Sequence, residues 1–292
     1  MENDADNIDL SKIHVCLDMT LPPNMALEAA DRAITENPEN APSGTVDARR
    51  KIGIRPETFG AVLTGKKWKN GRVLRVRHLN GDAAIHRKVE DLARMWEDHA
   101  NIHFEFVAKG DAEIRIGYAA DNLSWSYLGT DALSVESGQE TMHYGWLTPT
   151  TPFEEMRRVV VHEFGHALGM IHEHQHPSVE IKWNKPVVYR HYKEKQGWDK
   201  VTVDSNLFAH YSDSETQFSN YDPTSIMHYP VPAEFTLDGV AVGWNTDLSD
   251  TDKQFIAEAY PKVPEHAAAD LPAFAAQELT AANTRVQRDY GV

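Results

Sequence analysis

The sequence predicts an α+β fold, and three observations carry that prediction. Short, partly alternating apolar segments at 72–77, 104–107 and 112–117 read as strands. Between the first two, Ile85, Val89, Leu92 and Trp96 recur at the spacing of a helix with one buried side. A second helix opens near Thr151 and carries Val159, Val160, Phe164, Ala167 and Leu168 on its inner face.

Taken in order, residues 1–65 form an N-terminal extension or pro-segment of loose organisation. Pro22, Pro23, Pro38, Pro42 and Gly44 interrupt any long helix, leaving helical turns around Ala26–Ile34. The pattern sharpens at Lys66. A strand spans Arg72–Arg77, Asn80-Gly81 turns the chain, and Asp82 caps the first helix. Strands follow at Phe104–Val107 and Ala112–Gly117. Residues 118–150, rich in Gly, Ser, Asp and aromatics, read as strand fragments within a long ordered loop. Thr151, Pro152 and Glu154 make a capping box with proline in the first turn. Residues 173–248 are loop-rich. Ser249 with Asp252 opens a last helix that runs to Tyr260 before Pro261, and 264–292 form an Ala-rich tail. The catalytic unit is thus expected at 66–263.

Composition narrows the partners. The chain has 292 residues, 41% apolar and 25% charged, enough for a real core. A net charge of −15 repels phosphate backbones and anionic lipid, which argues against nucleic acid. No apolar run reaches the ~18–20 residues of a membrane span. The acidic start, Met1-Glu-Asn-Asp-Ala-Asp, does not read as a secretory signal, which leaves cytoplasmic placement and export by another route both open. Cys16 is the single cysteine, so neither an intrachain disulfide nor a Cys-rich zinc site can form.

The chemistry lies in His162-Glu-Phe-Gly-His166-Ala-Leu-Gly169-Met-Ile-His172. Four helical residues turn about 400°, so His162 and His166 share a face and can grip one ion. Glu163, about 100° round, borders that ion without binding it. On a continued helix His172 would lie ~9 Å beyond His166 and off its face. A break at Gly169 removes the obstacle, because glycine tolerates φ > 0 and ends helices. Three neutral imidazoles leave Zn²⁺ its full charge and an open position for water. With a glutamate base alongside, amide hydrolysis is the natural chemistry. HExxH alone arises by chance with probability of roughly 0.06, and the added Gly and His lower this to roughly 2 in 10⁴.

HExxHxxGxxH, together with Ser225-Ile-Met227-His-Tyr229, Glu173 and Tyr221-Asp222, resembles the metzincin zinc endopeptidases in their astacin-like form. The resemblance covers about residues 66–262. It implies a twisted mixed sheet packed on two long helices, a cleft beneath an edge strand and a loop-rich lower subdomain. It implies His162, His166 and His172 as ligands of one Zn²⁺ and Glu163 as the base acting on the metal's water. Tyr229 would be a further ligand that swings to the oxyanion, and Met227 the Met-turn residue. Glu173 would pair with a new N-terminus after trimming near residue 65, or serve as a local ion-pair partner. The function expected is a zinc-dependent endopeptidase, acting as a monomer on protein or peptide. The alternative is a latent or non-cleaving, zinc-stabilised protein-binding module.

Other residues have two readings each. Some metzincins stay latent through a pro-segment cysteine on the zinc, so Cys16 is either such a latch or a small apolar contact. His174 and His176 are either extra metal ligands or residues of the descending loop, and His228 reads as a structural hydrogen-bonder. Glu154, Glu155, Arg157 and Arg158 read as a solvated helix face. Ala112–Gly117 is either the substrate-pairing edge strand or a core strand. Trp125, Tyr127 and Trp146 either line subsites or pack.

Overall fold

The computed structural model describes residues 14–41, 65–176, 178–210 and 221–262. The expected tail and the basic run Arg49-Arg50-Lys51 lie outside the described residues. In chain order the main elements are β1 (Val15–Met19), α1 (Ala26–Glu36), β2 (Val73–His78), α2 (Ala83–Ala93), β3 (His103–Phe106), β4 (Ile114–Tyr118), β5 (Leu123–Tyr127), β6 (Met142–Tyr144), α3 (Phe153–Ala167), α4 (Lys185–Gln196) and α5 (Asp250–Ala259). The sheet order is β1-β5-β6-β4-β2-β3. β5 runs antiparallel to β6, and the other pairings are parallel. This is the mixed sheet of an α+β fold.

The strand order decides between the two readings of Ala112–Gly117 in favour of a core strand. β4, which overlaps the Ala112–Gly117 segment from Ile114, lies between β2 and β6 with residues 114–117 buried, so it cannot receive a substrate strand. The strand at that margin is β5, and β1 covers it with Cys16 opposite Ser124. Strand order is set by crossovers, which leave no local mark in the sequence.

α2 and α3 pack together against the sheet through a core that includes Val89, Leu92, Trp96, Phe104, Val160 and Phe164. Phe104 meets Phe164 edge to face, with ring centroids 5.0 Å apart. Burying a side chain of this kind contributes roughly 1.5–3 kcal/mol. The last carbonyls of a helix have no partner within it. Here Trp68 Nε1 donates to Ala167 O at 2.8 Å and Tyr260 Oη to Leu168 O at 2.8 Å. Both ends of the expected catalytic unit thereby close on the end of α3. At its start, the Thr151 capping box does not form. Pro152 is the N-cap, while the Thr151 hydroxyl accepts from Thr148 N and donates to Trp146 O.

Below the sheet a second core gathers Val188, Tyr192, Trp198, Leu207, Tyr229 and Phe235. The 173–248 segment is therefore less loop-rich than expected. α4 carries Pro186 in its first turn and ends at Gly197, whose φ is +70°. Pro186 and Gly197 are the sequence signals that mark it.

The described part of the N-terminal extension is organised rather than loose. α1 buries Ala29, Ala30 and Ala33, and Arg32 Nη1 donates to Leu133 O at 2.9 Å. Asn40 Nδ2 donates to Lys67 O at 2.8 Å, and Lys67 N returns a bond to Asn40 Oδ1 at 3.0 Å.

Candidate metal centre

α3 stacks His162 and His166 one turn apart, with their Nε2 atoms 3.1 Å from each other. After Ala167 the helix stops in a Schellman motif. Gly169 N donates to His166 O at 2.8 Å and Met170 N to Gly165 O at 3.0 Å, with Gly169 at φ +94°. The reversal brings His172 back, and its Nε2 lies 3.2 Å from that of His162 and 3.1 Å from that of His166.

These separations fit a single ion. Tetrahedral zinc with Zn–N near 2.0–2.1 Å holds its nitrogens about 3.3–3.4 Å apart. The tautomers fit as well. His162 Nδ1 donates to Ile226 O and His166 Nδ1 to Met170 O, both at 2.8 Å, which turns each Nε2 lone pair toward the common centre. Burial, then the neighbouring imidazoles, push His162 and His172 well below the usual histidine range, so both are neutral. One donor atom from each of Cys16, His162, His166 and His172 lies within 4.8 Å of the others, and all four residues are buried.

Glu163 is fully buried beside His162. Beneath them lies Met227. A Cβ built on Gly165 would sit 2.5 Å from Met227 Sδ, so the glycine between the two helical histidines makes room for the sulfur. Tyr229 packs with its ring 4.4 Å from that of His172 and 4.5 Å from that of His174. Its hydroxyl donates to the backbone carbonyl of Cys16. Glu173 accepts from Asp222 N at 2.8 Å, and burial pushes its carboxyl up to about 7, with Asp252 and Asp222 adding to the effect. No ion pair among the described residues engages it. His174 bonds Asn206 O and sets its ring 5.2 Å from that of His172, His176 contacts Ser178, and His228 bridges Tyr229 O and Tyr221.

The sequence reading missed the reach of Asp252. Besides closing the capping box of α5, its buried carboxylate accepts from Ser225 Oγ at 2.6 Å and Ile226 N at 2.8 Å. Ile226 O in turn holds His162 Nδ1. Asp252 therefore ties the Met-turn and a zinc-ligand candidate to the last helix. Asp252→Ala strands those donors, and with charged hydrogen bonds near 1.5–3 kcal/mol each, chemical denaturation is expected to show a loss of ~3 kcal/mol or more. Asp252→Asn should recover part of it.

Three facing imidazoles with a glutamate alongside define the class of site, a zinc hydrolase centre. The family model for Astacin, a peptidase family, matches residues 62–260. Two solved structures of myroilysin are similar. One is 48% identical over 70% of this chain and 99% of its own, with a TM-score of 0.67. The other is 40% identical over 89% of this chain and 95% of its own, with a TM-score of 0.58. High choriolytic enzyme 1, a hatching enzyme zinc-protease from Oryzias latipes (medaka fish), matches at 18% identity over 68% of this chain and 94% of its own, with a TM-score of 0.45. No curated protein matches. The chain belongs to the astacin family, and its function is that of a zinc-dependent endopeptidase acting on proteins or peptides. The non-cleaving alternative is not favoured. Among the described residues no helix is long and apolar enough to cross a membrane.

Proposed function

We propose that this chain is a monomeric endopeptidase whose N-terminal segment holds it latent. The observation that carries the reading is the convergence of three Nε2 atoms and one thiol on a single centre. His162, His166 and His172 are the residues that would hold zinc. When bound, the metal supplies Lewis acidity toward water and a peptide carbonyl. Glu163 takes the proton of the attacking water and returns it to the leaving amine. Tyr229, once released from Cys16 O, donates its hydroxyl to the developing oxyanion. Met227 supports the triad from below.

The pro-segment is residues 1–65, the catalytic unit 66–263 and the tail 264–292. β1 occupies the margin of β5, where an extended substrate would add as a strand, and it delivers Cys16 to the triad. Trimming near residue 65 would remove it and free a new terminus for Glu173. The longer of the two myroilysin matches, over 89% of this chain rather than 70%, is consistent with a counterpart to this segment.

Metal removal tests the reading. Chelation is expected to abolish cleavage of an internally quenched peptide, and stoichiometric Zn²⁺ to restore it. Full activity in a metal-free sample would overturn it.

A further inference from the structure

The residue two positions before Cys16 marks a second seat in the cleft. In an extended strand, residues i and i+2 face the same side, about 7 Å apart. Cys16 faces the triad, and His14 lies face to face on Trp146, with centroids 4.5 Å apart and planes at 13°.

Trp146 is held rigidly. Its indole Nε1 donates to Glu155 Oε1 at 3.0 Å. Arg158 grips the same carboxylate twice, at 2.9 and 2.8 Å, and stacks its guanidinium 4.6 Å from the centre of the Trp244 ring. Glu155 and Arg158 are therefore no solvated face but a brace between two indoles. With its cation and anion matched, the brace presents no net charge, and what the seat offers its occupant is the flat face of the half-buried Trp146. Arg158 stands one turn before His162 on α3, so the seat and the triad share one rigid support.

We propose that the face of Trp146 is the substrate subsite next to the cut, and that it selects a flat aromatic or imidazole side chain. The seated occupant shows the fit, since His14 immediately precedes β1, the strand lying where substrate would lie. A substrate running antiparallel to β5, opposite to β1, would bring this side chain to the carboxyl side of the cut. The inference rests on the peptidase reading and adds the substrate class.

The test is competition between peptides differing at one position beside the cut, Ala against Leu, Phe or His, with the full chain as enzyme. The ratio of kcat/KM values in one mixture does not depend on how much enzyme is open. Stacking should favour Phe and His over Ala by at least about fivefold at one position. Trp146→Leu, apolar but not planar, should bring the ratio of Phe to Leu peptides near unity, and Trp146→Phe should keep most of it. Equal ratios in wild type and Trp146→Leu, or no aromatic preference at any position, would overturn the subsite. Failure of the full chain carrying Cys16→Ala, which lacks the latch thiol, to cut any peptide would instead overturn the peptidase reading beneath it.

Discussion

Glu163→Gln keeps its zinc and its fold and loses between about 10² and 10⁴ in kcat/KM, the range that a positioned acid–base group contributes. The substitution preserves size and leaves His162, His166 and His172 untouched, so metal content is expected to be unchanged. It removes only the ability to accept and return a proton. Glu163 is fully buried beside His162, in a place where no bulk water can substitute for it as a base. Parallel measurement of zinc content and peptide turnover separates this outcome from misfolding. Turnover equal to wild type would remove Glu163 from the mechanism.

Cys16→Ala in the full chain raises peptide turnover by at least about tenfold, which corresponds to about 1.4 kcal/mol of released barrier. A thiolate at the triad takes the position that the hydrolytic water needs, and it is the softest donor in the group. The gain should be incomplete, because β1 still pairs with β5 and Tyr229 still holds the residue 16 carbonyl. Removal of residues 1–65 should raise turnover further, since strand and latch leave together. Full chain, Cys16→Ala and trimmed protein compared on one peptide would show a rising series. Three equal rates would mean that Cys16 is only a small apolar contact.

What was legible in the sequence was local. The Gly169 break could be read from spacing alone, because helix geometry forbids His172 to join the other two by any other route, and the observed φ of +94° is the conformation that glycine permits. Asp82 and Ser249 cap their helices as expected. Thr151 did not, because a threonine three residues upstream offers its backbone a competing partner. α4 leaves little mark in the sequence, because its buried side consists of Val188, His191 and Tyr192 amid lysines, a weak stripe. What was illegible was long-range. Nothing near Cys16 announces that it lies opposite Ser124, and nothing near Glu155 announces an indole from a preceding loop. The carboxylate of Asp252 could be read as a cap, but not as the anchor of a turn that it meets only in the folded chain.

The central claim is that one ion gathers three imidazoles across the Gly169 reversal, with Cys16 as the fourth donor in the full chain. X-ray absorption at the zinc edge tests it directly. The full chain should show three nitrogen scatterers at about 2.0–2.1 Å and one sulfur at about 2.3 Å, and Cys16→Ala should lose the sulfur while keeping the three nitrogens. A full-chain spectrum with fewer than three nitrogens, or without sulfur, would contradict the account.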